Sequence, residues 1–210
     1  MRVELRRDIP PEVPGPDPRR HQPEPDPPPA SHAVEPWLAE RLFAQRMVML
    51  HGPVTAAVSS RTVAQLLALD GTGGEPVRLH LSCPDGELDA VFALMDGVEL
   101  IRVPVHATVT GELGGAALGV LAAVGQRVAY RHARFRLAEP RAAEVSGTAD
   151  QIVGHASRHL QLLDELIVRL AELTGRRRSL VETDLAETRL LTAEQARDYG
   201  LITGIVGPTS

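Results

Sequence analysis

A glycine-rich run is the first place where this sequence could do chemistry. The run is GELGGAALG, residues 111–119, and it joins an apolar strand pattern to an apolar helix pattern. Turns of this kind present nucleophiles or bind phosphates. The run has no Ser, Cys, Thr or Lys. The spacing of its glycines matches neither GxxxxGK[ST] nor GxGxxG, at Gly111, Gly114, Gly115 and Gly119. A packing role for these glycines is therefore the simpler interpretation.

Other side chains near the same strand ends could act as relocated nucleophiles. They are Ser82, Cys83, Thr108 and Thr110. Cys83 is the best of them because a thiolate is intrinsically reactive. A nucleophile also needs a base within reach, and neither His80 nor His132 has a sequence feature that places it beside Cys83. A relocated site stays open as an alternative.

Two further clusters could bind ligands. His155 and His159 lie four residues apart in a helix pattern, a spacing compatible with a metal. Two ligands do not make a site, and the HExxH glutamate is missing between them. The sequence therefore predicts neither a metal nor a cofactor. The run 176–178 reads as solvated charge, with a basic docking patch as the alternative.

Composition limits the class of protein. The chain has 210 residues, 43% of them hydrophobic and 3% aromatic, with a formal net charge of −5. This suits one sizeable domain plus an appendage, and its acidity argues against nucleic acid or an anionic membrane as a partner. The single cysteine fits a reducing compartment, and no apolar run is long enough to span a bilayer. We expect a cytoplasmic protein.

The first 36 residues differ from the rest in proline content. Eleven of the 17 prolines fall there, and proline neither pairs in a central strand nor propagates a helix. We therefore predict a proline-rich disordered tail over 1–36 and one folded domain over 37–210.

Strand and helix patterns alternate through that domain. Strands are predicted at 46–50, 77–82 and 105–110, with two short ones within 127–130 and 134–139. Helices are predicted at 55–70, 85–101 and about 112–124. This order predicts an α/β domain with mostly parallel pairing.

The longest helix is predicted at about 148–174. Thr148 with Gln151 forms a capping box, and Gly175 is a natural stop. Two apolar stripes run along the helix, one through Ile152, Ala156, Leu160, Leu163, Ile167 and Leu170, the other through Leu162, Leu166 and Leu173. One domain of this size covers only part of a helix about 40 Å long, so the rest is expected to meet another subunit. Thr192 with Gln195 forms a second capping box before a final helix, a turn and a last strand.

In this order the segments resemble the ClpP family, the proteolytic subunit of the Clp protease. The resemblance covers about residues 37–206 and is carried by ERLFAQRMVMLHGPV, LSCPDGELDAVFALMDGV, GTADQI and LTAEQARDYGLI. It implies a ClpP/crotonase-like α/β spiral of ββα units with a protruding handle helix. It also implies heptameric rings, stacked in pairs, with the active sites inside.

The resemblance further implies a Ser-His-Asp triad, whose positions are changed here. Gly115 stands at the serine, Ala138 at the histidine and Thr188 at the aspartate. A serine peptidase needs all three groups, so we expect no peptidase chemistry.

The resemblance places the oxyanion site at the CPDG loop and at Ala116. Asp85 stands at the first glycine of that loop, and Gly86 keeps the second. We expect the Cβ of Asp85 to restrict a positive φ. We also expect its carboxylate to oppose negative charge that develops nearby.

These features favour a catalytically inactive ClpP-like subunit. Its role would be structural or regulatory in a Clp-type ring, alone or with an active paralogue, with a Clp ATPase as a further partner. One alternative is an active hydrolase or acyl-CoA-type enzyme of the same fold with a relocated site, using Glu112, Asp85 or Glu139. Another is a homo-oligomeric scaffold.

Overall fold

The computed structural model describes residues 36–141 and 146–207. They belong to one unit, Val34–Ser210. In chain order its elements are α1 (Pro36–Ala44), β1 (Met47–His51), α2 (Ala56–Asp70), β2 (Val77–Cys83), α3 (Leu88–Leu100), β3 (Val105–Gly114), a 3₁₀ helix (Gly115–Ala123), β4 (Gln126–Tyr130), β5 (Arg134–Leu137), α4 (Ala149–Thr174), α5 (Arg178–Ala186), β6 (Arg189–Thr192), α6 (Ala193–Tyr199) and β7 (Gly204–Val206).

The strands form one sheet in which β3 has two successive neighbours on one side. The main order is β1-β2-β3-β4-β7, and every pair in it is parallel. The first half of β3 pairs with β4, whereas Glu112–Gly114 pairs with β5. Strand β5 then pairs antiparallel with β6. The predicted α/β class with mostly parallel pairing is confirmed.

The core lies on one face of this sheet. Alternate residues of β1, β2 and β3 are buried, as the period-2 pattern predicts, among them Val48, Leu50, Leu79, Leu81, Ala107 and Val109. Contacts among α2, α3, α4 and the 3₁₀ helix complete the core. The residues that alternate with the buried ones are half-buried or exposed. Parallel strands usually need crossover helices, and α2 and α3 supply them here.

Both predicted capping boxes are confirmed. Thr148 Oγ1 accepts the N–H of Gln151 at 3.4 Å, and Gln151 Oε1 accepts the N–H of Thr148 at 2.9 Å. Thr192 and Gln195 make the same pair of bonds at 3.2 and 2.9 Å. The long helix ends at Gly175, whose φ of +66° suits glycine. Local signals alone therefore locate these helix ends.

The predicted helix at about 112–124 is wrong in both start and type. Strand β3 continues through Gly114 because residues 112–114 find a partner in β5. The segment that follows is a 3₁₀ helix rather than an α-helix. Pairing with β5, a contact over more than 20 residues of sequence, overrides the local helix pattern here.

Three elements, α1, α5 and β6, are not predicted from the sequence. Helix α1 begins at Pro36, a residue favoured at the first helical position, so the folded domain starts one residue before the expected boundary. The rest of the predicted tail lies outside the described residues. Helix α5 begins after Arg177, which makes no side-chain cap, and therefore has no capping signature.

The basic run at 176–178 is solvated in part, since Arg177 and Arg178 are exposed and Arg176 is half-buried. The guanidinium of Arg176 lies 4.1 Å from the centre of the Tyr199 ring, and its Nε donates to the Tyr199 carbonyl at 3.0 Å. Arg178 pairs with Asp164. The expectation of a solvated charge run is corrected for Arg176 alone, because it packs on Tyr199 of α6; the ion pair of Arg178 is exposed to solvent.

A buried carboxylate joins α5, β6 and α6. Asp184 is only 5% exposed, and it accepts the hydroxyl of Tyr199 at 2.7 Å and Nη1 of Arg189 at 2.8 Å. Burial and this hydrogen bond raise the pKa of Tyr199 above its ordinary value. The hydroxyl therefore stays protonated and donates to a charged acceptor, which is the stronger kind of hydrogen bond.

Tyr199→Phe is expected to destabilise the domain by about 1.5–3 kcal/mol, the net value of a hydrogen bond to a charged group. For a domain of this size that corresponds to a fall in Tm of roughly 3–10 °C. Thermal and denaturant unfolding measure the change. Tyr130→Phe is the matched control, because Tyr130 is exposed. Equal effects of the two substitutions would contradict the role given to Asp184.

Candidate functional site

The turn between β3 and the 3₁₀ helix packs directly against the loop 84–86. A Cβ at Gly114 would lie 2.7 Å from the carbonyl oxygen of Pro84, and a Cβ at Gly115 would fall on Oδ1 of Asp85. Gly115 also has a φ of +54°, in the region that glycine adopts most readily. Steric contact and backbone conformation both require glycine at 115.

Gly119 has a packing role as well. A Cβ there would lie 2.8 Å from Cδ1 of Leu166 and 3.1 Å from the sulfur of Met95. The 3₁₀ helix can therefore approach α4 and α3 closely. The geometry agrees with a packing role for the glycine-rich run.

Sheet register brings the positions 115, 138 and 188 to one end of neighbouring strands. Gly114 pairs with Arg136 across β3 and β5, and Leu137 pairs with Arg189 across β5 and β6. Gly115 and Ala138 directly follow these pairs in sequence, and Thr188 directly precedes Arg189. The side chains present there are hydrogen, methyl and hydroxyethyl.

Thr188 adopts a conformation that its side chain disfavours. Its φ is +55°, and a left-handed conformation costs about 1–2 kcal/mol for a residue with a Cβ. Its N–H donates to the carbonyl of Leu185 at 3.2 Å. The adjacent ion pair between Arg189 and Asp184 holds the turn in this strained form.

Asp85 has a backbone conformation that agrees with the presence of a Cβ. Among the described non-glycine residues only Arg46 and Thr188 have a positive φ, so Asp85 does not adopt the conformation that its Cβ was expected to restrict. Its carboxylate has a separate effect on the loop. Oδ1 accepts the N–H of Gly86 at 2.8 Å and lies where a side chain at 115 would begin. The carboxylate thus binds the N–H of Gly86 and also fills the space beside Gly115.

Gly86 is held tightly in its place. A Cβ at this residue would lie 3.0 Å from Cβ of Val54 and from Cγ2 of Val91. Val54 and Gly86 also form a parallel bridge. Ala116, the remaining residue of the expected oxyanion site, is fully buried at the start of the 3₁₀ helix.

Arg136 is a site residue that the sequence reasoning missed. Its Nη2 donates to the carbonyl of Pro84, and its Nε donates to Oε1 of Glu112 at 3.0 Å. The available signal was its alternation with Phe135 and Leu137, which are buried and leave Arg136 on the other face. A positive charge therefore lies beside the loop 84–86. We refer to the region bounded by Arg136, the loop 84–86 and the turn 114–115 as the cleft.

The carboxylates considered for acyl chemistry are placed differently from one another. Glu112 is paired with Arg136, and Asp85 is bonded to Gly86. Glu139 is exposed, and its backbone N–H donates to the carbonyl of Leu185 at 3.2 Å. Glu112 and Asp85 are thus engaged by the protein's own donors.

Cys83 lies in an environment that suppresses nucleophilic reactivity. Its side chain is fully buried, and its thiol donates to the carbonyl of Leu50 at 3.3 Å. Burial raises the pKa of this thiol to about 12. Reactive cysteines instead have a lowered pKa and some exposure.

The structure does not bring a histidine to Cys83. His80 is three residues away on β2, so it lies on the opposite face of the sheet. Burial, together with the charges of Arg78 and His51, lowers its pKa. His132 is exposed in the turn between β4 and β5. The other candidates, Ser82, Thr108 and Thr110, are half-buried on the face of His80.

His155 and His159 lie on the N-terminal half of α4, where His155 is exposed and His159 is half-buried. Within residues 36–141 and 146–207, no group of three His, Cys, Asp or Glu side chains is arranged to hold a metal ion. In the same part of the chain, no helix combines the length and apolar character needed to cross a membrane.

Comparison with known proteins finds similarity over most of the chain. The family model described as Clp protease matches residues 33–209. The ATP-dependent Clp protease proteolytic subunit 1 of Nocardia farcinica is 32% identical over 170 residues, covering 80% of this chain and 86% of that protein. The proteins of the same name from Chlamydia muridarum and Chlamydia pneumoniae are each 29% identical over 179 residues. They cover 83% of this chain and 93% and 94% of their own lengths.

Cys83 is expected to resist iodoacetamide in the native protein and to react fully after unfolding in guanidinium. The buried thiol with its raised pKa supplies little thiolate at pH 8. Mass spectrometry of the alkylated protein measures the difference. Rapid stoichiometric alkylation of the folded protein would show that the site is accessible and would revive the relocated nucleophile.

The same thiol predicts a pH dependence. A pKa raised by folding contributes stability below the unfolded pKa, and this contribution is lost as pH rises from about 9 towards about 12. The unfolding free energy of the wild type should fall more steeply over that range than that of Cys83→Ala.

Proposed function

The chain belongs to the Clp protease family, and on that premise we propose that it is a subunit without peptidase chemistry. Its role is structural or regulatory within a ring assembly of the Clp type. It assembles either with copies of itself or with an active paralogue.

The main support is the chemistry of the three positions 115, 138 and 188, which lie at one end of the neighbouring strands β3, β5 and β6. Acyl transfer requires a nucleophile, a base that takes its proton and a group that orients the base. Gly115 has no side-chain atom with which to attack, and Ala138 cannot accept a proton. Thr188 has a hydroxyl but no imidazole to orient.

Asp85 supplies independent support. Stabilising a tetrahedral intermediate requires backbone N–H groups aimed at the position where negative charge develops. The N–H of Gly86 already bonds to the carboxylate of Asp85 at 2.8 Å. A substrate oxygen would have to displace a charged acceptor and would then lie near its negative charge.

Helix α4 supports the assembly role. Its N-terminal half is uncovered and presents Ile152, Val153 and Leu160, which are 46%, 64% and 63% exposed. Further along, Leu166, Ile167 and Leu170 are buried in the domain. Exposed apolar residues grouped on one element mark contact surfaces. We assign the first half of α4 to contact with another subunit, as the family's ring architecture implies.

The proposal keeps the prediction of a disordered tail for the proline-rich segment that precedes α1. A Clp ATPase is the partner that the family implies for the ring, and the cytoplasm is the compartment in which the two would meet. Native mass spectrometry of the protein purified from its own host separates homomeric rings from mixed ones.

We expect no peptide hydrolysis and no covalent adduct with a fluorophosphonate, with or without an activating Clp ATPase. The reason is the absence of an attacking group at Gly115 and the burial of Cys83. Fluorogenic peptide assays and intact-mass spectrometry measure the two outcomes. Ala138→His and Thr188→Asp together should not change this result, since neither supplies a nucleophile.

The contradicting outcome is turnover that the fluorophosphonate abolishes, with the adduct mapped to this chain. An active paralogue carried through purification would give an adduct on the paralogue instead, and peptide mapping distinguishes the two.

Leu160→Asp is expected to weaken subunit association by at least about tenfold, since it places a charge in an apolar contact. Sedimentation velocity over a range of concentrations measures the shift towards smaller species. Leu100→Asp on α3 is the matched control, because Leu100 is also exposed, at 71%, but lies at the end of α3 whose Glu99 pairs with Arg169 in the second half of α4. If Leu160→Asp assembles like the wild type, α4 is not the contact surface.

A further inference from the structure

We propose that Asp85 and Arg136 together close the cleft beside Gly115 against extended peptides. The inference deepens the proposed function and rests on it, because it concerns the same cleft in a subunit without peptidase chemistry. The two side chains take the places that the main chain of a bound peptide would need.

The backbone of residues 84–87 has two edges, and one of them is used by the protein itself. The N–H of Val54 donates to the carbonyl of Asp85 at 3.0 Å, and the N–H of Glu87 donates to the carbonyl of Val54 at 2.9 Å. This is the pattern of a parallel bridge. Successive peptide groups of an extended segment face opposite sides, so the carbonyl of Pro84 and the N–H of Gly86 belong to the other edge.

On that second edge the carbonyl of Pro84 is an acceptor and the N–H of Gly86 is a donor, one on each side of residue 85. In a parallel pair of strands, a single residue of the neighbouring strand would bond to both groups. Peptides recognised by strand addition gain their affinity from main-chain pairs of this kind. Here Arg136 donates to the Pro84 carbonyl, and Asp85 accepts the Gly86 N–H at 2.8 Å. Both groups are therefore satisfied by side chains of the same chain.

Neighbouring contacts hold both side chains in place. Glu112 binds Nε of Arg136 at 3.0 Å, which leaves Nη2 directed at Pro84. Asp85 occupies the space left by the missing Cβ of Gly115. Charge-assisted hydrogen bonds are about twice as strong as neutral ones. A neutral peptide backbone would have to displace two of them.

The experiment compares peptide binding by the wild type and by Asp85→Gly/Arg136→Met. The probe is a fluorescein-labelled twelve-residue peptide of alternating Thr and Val with Lys at both ends, followed by fluorescence anisotropy. We expect the double variant to bind at least about tenfold tighter than the wild type, the effect of one or two recovered net hydrogen bonds.

Two control variants separate the mechanism from general effects of charge. Asp85→Asn/Arg136→Lys keeps an acceptor for Gly86 and a donor for Pro84, and it should bind much less tightly than Asp85→Gly/Arg136→Met. Arg61→Met removes a positive charge from the exposed face of α2 and should leave binding unchanged. Tightening in either control as large as that of Asp85→Gly/Arg136→Met would assign the effect to charge or destabilisation and would overturn the proposal.

Hydrogen exchange tests the closed edge without peptide. Asp85→Ala should accelerate exchange at the amide of Gly86, measured by mass spectrometry on the segment 84–88, while segments in β1 keep their rates. This measurement tests the closed edge even if Asp85→Gly/Arg136→Met does not fold. Unchanged exchange at Gly86 would overturn the proposal, as would equal peptide affinity in the wild type and a folded double variant.

Failure here is distinguishable from failure of the proposed function. Peptide hydrolysis by the wild type contradicts the absence of peptidase chemistry. Tight peptide binding by the wild type without hydrolysis contradicts only the closed cleft.

Discussion

The organisation of this molecule depends on the close approach of two backbone segments that are about 30 residues apart in sequence. A Cβ at Gly114 would lie 2.7 Å from the backbone carbonyl oxygen of Pro84, and a Cβ at Gly115 would fall on the side-chain Oδ1 of Asp85. This approach is compatible with the pairing of β3 with β5 immediately before the turn. The same approach places the carboxylate of Asp85 beside Gly115. The pairing of β3 with β5, the geometry of the turn and the position of this carboxylate therefore depend on the same close contact.

A buried carboxylate, Asp184, lies beside the strained turn at Thr188. It accepts hydrogen bonds from both Tyr199 and Arg189. Buried charges are tolerated only when they are paired and hydrogen-bonded, and Asp184 meets both requirements. The strained turn at Thr188 lies between this ion pair and α5. Thr188 therefore has a left-handed backbone conformation that its own Cβ disfavours.

Local signals in the sequence were sufficient for much of this fold. Strand alternation located β1 and β2, and the pairs Thr148–Gln151 and Thr192–Gln195 located two helix starts. The elements that were missed lack such signals. Helix α5 has no side-chain cap, and the extension of β3 exists because β5 is available to pair with it. Contacts distant in sequence decided those elements.

The candidate site was also predicted only in part, because some of its contacts join residues distant in sequence. Resemblance to the ClpP family identified the positions 115, 138 and 188, and the sheet register places them at one end of neighbouring strands. The contacts of these side chains could not be predicted in this way. The sequence provided a reason to expect an effect of the Asp85 carboxylate, but did not indicate that Oδ1 accepts the N–H of Gly86 and lies beside Gly115 on another element. Arg136 was missed because its partners, Pro84 and Glu112, come from two different elements.

The contact between Asp85 and Gly115 makes the effects of substitutions at the two positions interdependent. A side chain introduced at 115 would meet both the carboxylate of Asp85 and a backbone φ of +54°, so the free-energy changes of substitutions at 85 and 115 are not expected to add. The order of substitution therefore matters: an exchange at 85 that removes the carboxylate first clears the space that a Cβ at 115 needs. The two residues form an epistatic pair across two elements of the fold.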